Sequence, residues 1–458
     1  MTIPASSPRI SLTTGHVVRT WWPLAISWLL MTSEQPLMSA VIARLPDSRI
    51  NLAAWGVVFS LSVIIQAPSA MLLAASTALS KDWASYIRLR RFMVGLGLSL
   101  TALHLLLAFT PLYYVVMINL INAPPEILQP ARVGLMVMVP WSWGTGYRRF
   151  GQGVLIRFGR SRTVVWGSLL RLGLDGLFLA IGYGWGGLPG VVVATAAIIA
   201  GVLGEAIYTG VRIRPILQQE LKPAAPVEPL LTWMALLKFY IPLALTVFLT
   251  FLIQPLVSAS LSRMPNALDS LAVWPVLIGF VNMWQSAGLG YNETVIALLE
   301  ESQAVRALRR FTWLLFGAIT ALLLVTAATP LAGIWFEQVA GVTPVLVTLS
   351  RQGLWLALLL PGLRILQSWY QGNIVYSRHT RGVTESVLIF LLTSGAILWF
   401  GIAWGAVTGL YVGLAAFTAG FLTQTLWLWL RSRPAIQAVQ RRDGADSAFT
   451  KETTYVPT

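Results

Sequence analysis

The feature that most limits what this chain can fold into is a repeat. Residues 21–215 and 240–434 align without a gap at an offset of 219, and 56 of the 195 aligned positions are identical. A composition this apolar would match by chance at about a tenth of positions. Gln35-Pro36-Leu37 returns as Gln254-Pro255-Leu256, Leu52-Ala53 as Leu271-Ala272, and Arg44 as Arg263. Farther on, Gln152-Gly153 returns as Gln371-Gly372, and Trp185-Gly186 as Trp404-Gly405. One unit is used twice, so the chain must fold as two like bundles.

Each unit is built for a bilayer. Hydrophobic residues make up 56% of the chain and charged ones only 11%. Apolar runs of about 20 residues recur throughout, long enough to cross a hydrocarbon core as helices. The sequence therefore predicts an all-α polytopic membrane protein with twelve transmembrane helices in two parallel six-helix repeats. The expected parts are a tail over 1–20, a first lobe over 21–215 with helices 1–6, and a linker over 216–239. A second lobe over 240–434 with helices 7–12 follows, then a tail over 435–458, expected to be disordered beyond Asp443. Six spans per unit is an even number, so both units share one orientation. A pseudo-twofold axis along the membrane normal relates them, with the substrate path expected between the halves.

The net charge of +15 reads as topology rather than nucleic-acid binding. Arg and Lys gather in the tails and in alternate connections between spans, which puts both termini in the cytoplasm of a plasma (inner) membrane protein. Cys is absent, which excludes disulfides and thiolate metal sites. There is no P-loop, and the three His residues show no metal spacing with acidic residues. An enzyme is not expected, nor a cofactor beyond proton or sodium coupling. The expected unit is a monomer in the lipid bilayer.

Polar residues inside the spans mark the candidate site, because lipid penalises them unless they face protein or water. Pro36 and Pro255 sit within spans 1 and 7, beside Gln35 and Gln254, and each should kink its helix. Glu34 is the only acid deep in span 1 and is the candidate for coupling or gating. In span 8, Asn282, Gln285 and Asn292 share a face, and Gln66 of span 2 matches Gln285. In span 10, Arg364, Gln367 and Gln371 share a face, while span 4 offers Arg148, Arg149 and Gln152 at matching depth. Guanidinium forks suit carboxylate and phosphate groups, so these residues point to an anionic substrate. Arg171 and Asp175, four apart in span 5, are expected to pair locally, and Glu205 of span 6, two turns from Arg212, to pair across helices.

The chain resembles the multidrug/oligosaccharidyl-lipid/polysaccharide exporter superfamily, and within it the progressive ankylosis family most. The resemblance covers about 21–434. It rests on Trp22-Pro23-Leu24, Glu34-Gln35-x-Leu37 and Leu52-Ala53-Ala54-Trp55-Gly56. In the second half it rests on Pro242-Leu243-Ala244-Leu245, Gln254-Pro255-Leu256-Val257 and Leu261-Ser262-Arg263. It implies two MATE-like lobes around a V-shaped cavity, alternating access by lobe rocking, and export of anions such as diphosphate, nucleotide or citrate. A lipid-linked oligosaccharide or polysaccharide flippase and a multidrug/cation antiporter are the alternatives it leaves open.

Overall fold

The computed structural model describes residues 12–452 apart from 229, 302 and 378–380, with side chains described as far as 443. Twelve long helices follow in chain order. The first unit holds α1 (Thr14–Thr32, then Glu34–Ala43), α2 (Ser48–Leu79), α3 (Trp83–Phe109), α4 (Pro125–Arg157), α5 (Ser161–Trp185) and α6 (Gly190–Leu221). The second holds α7 (Trp233–Leu261), α8 (Ala267–Leu298), α9 (Ala304–Ala328), α10 (Pro344–Tyr376), α11 (Arg381–Trp404) and α12 (Gly409–Glu452). No strand occurs among the described residues. All but α1 and α4 are long and apolar enough to cross a membrane on length and composition alone. α1 is split at Ser33, with Arg19, His16 and Pro23 in its first part, and α4 spreads Arg132, Arg148, Arg149 and Arg157 along its length.

Several expected boundaries move. α1 already begins at Thr14, and the linker contracts to the stretch between Leu221 and Trp233. α12 continues past 435 to Glu452, where a tail was expected. α3 and α9 end at Phe109 and Ala328, because Thr110-Pro111 and Thr329-Pro330 break the helix in both units. A short helix follows each break, Leu112–Ile121 and 331–339.

The turns are copied along with the helices. Asp47 and Asn266 are left-handed at φ 50° and 56°, Asn122 and Gly341 at 59° and 72°, and Gly186 and Gly405 at 66° and 64°. Each pair is related by the repeat offset, and each position uses a residue that tolerates that conformation. The prolines are not equivalent, however. α1 breaks at Ser33, three residues before Pro36, which cannot donate to the Thr32 carbonyl. The Ser33 hydroxyl donates to the Leu29 carbonyl at 2.7 Å, and the Thr32 hydroxyl to Trp28 at 3.0 Å, offering that backbone other partners. α7 has Phe251 and Leu252 at those positions and runs through Pro255 without a break.

The first helix of each unit leans on the other unit. α1 packs along α8, and α7 packs on α2. The Trp21 indole donates to the Ala287 carbonyl at 2.9 Å, and its repeat-mate Tyr240 donates to the Pro68 carbonyl at 2.5 Å. Leu12 and Val17 join a core with α8 and α9 residues and with Val439 of α12, so both described ends of the chain lie on one side, here the terminus side. On the opposite side the units are clasped reciprocally. Arg44 donates to the Gln338 and Val339 carbonyls at 2.5 and 2.9 Å. Its repeat-mate Arg263 donates to the Asn119 and Leu120 carbonyls at 3.2 and 2.7 Å. Arg49 pairs there with Asp269, and α2 and α8 approach closely where Gly56 meets Leu271 and Pro275. Among the described residues the other helices of the two units make few contacts with each other.

Candidate functional site

The charged residues of the spans converge in the first unit. α4, α5 and α6 pack together, with the broken α1 beside them. Glu205 of α6 is fully buried and accepts from Arg148 Nη1 at 2.9 Å, Gln152 Nε2 at 2.7 Å and the Ser168 hydroxyl at 3.3 Å. Arg171 of α5 lies between two carboxylates: its Nη2 is 2.8 Å from Glu34 Oε2 and its Nε 3.6 Å from Glu205 Oε2. One network thus runs from α1 through α5 and α6 to α4. Its link to α1 is made at Glu34, one residue past the break.

One sequence expectation is corrected. Arg171 does not pair with Asp175, because its guanidinium is taken by Glu34 and Glu205 of neighbouring helices. Both Asp175 carboxylate oxygens are buried without a hydrogen-bond partner, packed against Gly201. Glu205 pairs across helices, with Arg148 of α4. Asp175 and Glu205 thus belong with Glu34 and Arg171, a grouping that the sequence reading did not make. The signal that could have found them is that positions 34, 171, 175 and 205 carry charge in the first unit and Ile253, Phe390, Ser394 and Gln424 in the second.

The second unit builds the same helix contact without charge. Gln367 and Gln424, the repeat-mates of Arg148 and Glu205, are joined by a hydrogen bond from Gln367 Nε2 at 3.2 Å. Gln367 also donates to the Phe421 carbonyl and to the Thr425 hydroxyl. Arg364 donates through Nε to Gln285 and through Nη1 to Gln367, both at 3.2 Å, and stacks 4.9 Å from the Phe421 ring. No carboxylate pairs with Arg364 among the described residues. It is therefore a cation held by amides and an aromatic face, with its charge uncompensated.

The other predicted residues are placed as follows. Arg149, Gln35, Gln254, Asn282 and Gln371 are half-buried, and none makes a side-chain hydrogen bond among the described residues. Gln66 accepts from Ser69 within its own helix. Asn292 donates to the Ser368 carbonyl, and Glu293 accepts from the Trp28 indole. The expected amide stripe of α8 therefore divides: Gln285 joins Arg364, Asn292 ties α8 to α10, and Asn282 stays free of side-chain partners.

An apolar groove borders this site. Two cavities of about 590 and 370 Å³ share Met283, Trp335 and Val339 and follow α1 on the face it turns to the short helix 331–339. The larger is walled by Trp22, Ile26 and Leu29, and the smaller reaches Ser33 and Glu34. The groove thus ends on the charged network.

No protein-family model and no curated protein sequence matches the chain. Solved structures do match its fold. An inward-facing multidrug resistance MATE family transporter of the MOP superfamily superposes with a TM-score of 0.75 at 13% identity, covering 94% of this chain and 99% of that one. The lipid II flippase MurJ, in an inward closed conformation, gives 0.70 at 12% identity over 95% and 94%. An outward-facing MATE family transporter gives 0.59 at 15% identity over 94% and 98%. At these identities the likeness establishes the fold, a twelve-helix arrangement of the MATE and MurJ type, and the chain is a multi-pass membrane protein.

Proposed function

We propose that this protein is a secondary transporter working by alternating access and moving an organic or phosphate-bearing anion across the membrane. One observation carries the reading: the buried ionic network has an uncharged counterpart. Desolvating charges is expensive, and the Gln367–Gln424 contact is a working solution to the same packing problem. The second unit packs its matching helices without charge at the positions of Arg148, Arg171, Glu34 and Glu205, so their presence in the first unit speaks for use.

In this reading Glu34 is the coupling group. A proton or sodium ion taken up at Glu34 breaks its pairing with Arg171 and frees α1 from α5 at its hinge. Asp175, buried without a partner, is the second group able to take the cation. Arg364, uncompensated, attracts the anion together with Arg149, and Gln285, Gln367 and Asn282 orient it. Arg148 and Gln152 hold Glu205 in place. The reciprocal Arg44 and Arg263 contacts support a state closed on the side away from the termini, which charge distribution assigns to the exterior. The resemblance to the progressive ankylosis family suggests diphosphate, nucleotide or citrate. The apolar groove favours a second reading, a lipid-linked anion whose chain lies along α1 while its head meets Arg171.

The test is uptake into sealed proteoliposomes under imposed pH and sodium gradients, with labelled diphosphate, citrate and ATP, and flipping of a fluorescent isoprenoid diphosphate for the second reading. Glu34→Gln should abolish gradient-driven movement, and Arg364→Ala should weaken substrate binding. Wild-type flux in both variants would overturn the proposal. Drug-cation efflux that needs Glu34 but not Arg364 would favour the multidrug antiporter.

A further inference from the structure

We propose that the first unit carries a binding site for an anionic phospholipid, on the terminus side and apart from the network above. A cavity of about 160 Å³ lies among α3, α4 and α6, with Arg90, Arg214, Tyr86 and Tyr147 in its wall. Among the described residues none of these four side chains makes a hydrogen bond or ion pair, and no carboxylate lines the cavity. Two uncompensated guanidiniums and two phenol groups thus border one space. At roughly 30 Å³ per water, it has room for a phosphate group.

A second cavity of about 370 Å³ shares Tyr147, Gly210 and Arg214 with the first and continues along α4 and α6 past Leu203, Ile207 and Val211. Ile207 and Val211 are 68% and 51% exposed. From Leu203 to Arg214, α6 advances about 16 Å, with its apolar end toward mid-span and its cationic end toward the terminus side. A polar chamber opening into an apolar trough of that length has the shape of an amphiphile lying along a helix bundle. A basic pocket between membrane helices on the charge-rich side is a recurrent place for acidic lipid headgroups.

The repeat separates this site from mere topology. Arg90 and Arg214 recur as Arg309 and Arg433, as positive loops in both units require. Tyr86, Tyr147 and Gly210 do not recur: they become Val305, Leu366 and Trp429. Gly210 leaves room for the Tyr147 hydroxyl, which would lie 2.6 Å from a Cβ there. In the second unit Trp429 fills that position and Arg433 stacks on it at 3.7 Å. Gly210 thus keeps the chamber open in the first unit. It lies on the helix pair that carries Arg148 and Glu205, so a bound lipid would set the spacing of α4 and α6 behind the network.

Native mass spectrometry of the detergent-purified full chain, titrated with phosphatidylglycerol or phosphatidylcholine, tests the site. The wild type should retain one phosphatidylglycerol in preference to phosphatidylcholine. Arg90→Gln with Arg214→Gln should weaken that retention by about tenfold or more, while Arg88→Gln with Arg91→Gln, an equal charge loss off the cavity wall, should not. Ile207→Trp, which fills the trough, should weaken it as well. Equal retention of the two lipids, or an unaffected Arg90/Arg214 double variant, overturns the proposal. Displacement of the lipid by millimolar inorganic phosphate, with no effect of Ile207→Trp, would mark a free-anion site and overturn it equally.

Discussion

Replacing Glu205 by Gln, alone and with Arg148→Gln, separates what the network does for the fold from what it does for transport. Glu205 accepts three hydrogen bonds, and the Arg148 side chain opposite is only 7% exposed. Glu205→Gln leaves that guanidinium buried without its carboxylate, which should cost ~3–5 kcal/mol. Arg148→Gln should cost less, ~1.5–3 kcal/mol for a charged hydrogen bond, because Arg171 still stands 3.6 Å from Glu205. The double variant reproduces the Gln367–Gln424 pair and should return to within ~1 kcal/mol of wild type, since uncharged replacements of buried pairs are often neutral. The coupling term of this cycle should then be ~3 kcal/mol or more. Thermal and denaturant unfolding in one detergent gives the stabilities, and proteoliposome flux gives function. The double variant is expected to be stable and inactive. A double variant with wild-type flux would refute the functional assignment, and one as unstable as Glu205→Gln would refute the comparison between the two units.

Three further outcomes are expected. The chain lacks Cys, so Arg49→Cys with Asp269→Cys gives a clean test of the clasp: a short bifunctional thiol crosslinker should form the link and stop transport, and a cleavable one should restore it on reduction. Arg364→Ala should lower anion affinity about tenfold or more with little loss of stability, because no buried carboxylate is left behind; titration of the purified protein with diphosphate and citrate measures it. Asp82 caps α3 and ties the linker down, accepting the Ser85 amide at 2.7 Å and the Val227 amide at 2.8 Å. Burial pushes its carboxyl up, but these amide bonds more than offset that and leave it below the usual carboxylate range. A depressed value contributes stability above the unfolded pKa of about 3.9, lost as pH falls through the folded value. Proteolysis between Leu221 and Trp233 should therefore quicken in acid, and Asp82→Asn should show the faster cleavage at neutral pH.

Much of the architecture was legible because it is written locally. Apolar run length marks a span whatever its neighbours, so the twelve spans in two like units were readable. The misses have local causes too. Thr110-Pro111 and Thr329-Pro330 end two helices inside apolar stretches where hydropathy gives no warning. Pro36 and Pro255 looked equivalent, but only the first follows Thr32 and Ser33, whose hydroxyls bond the preceding turn. The site was half legible. Glu34, Arg148 and Gln152 stood out as polar residues in a bilayer, and they meet in one network. Arg171 and Asp175 stood out as well, but were matched to each other, and Glu205 was expected to pair across helices without its partner being named.

The repeat, the span count and the common orientation of the units follow from the chain alone, because periodicity and charge bias are properties of one dimension. Partner choice is not. Three helices had to come together before Arg171 could reach Glu34 and Glu205 instead of the carboxylate one turn ahead of it. Packing likewise crossed α1 and α7 onto opposite units, and left Arg364 facing amides while Arg148 and Arg171 were neutralised. Energies of buried charges depend on distances of a few ångströms between residues far apart in sequence, and those distances exist only once the bundles have formed.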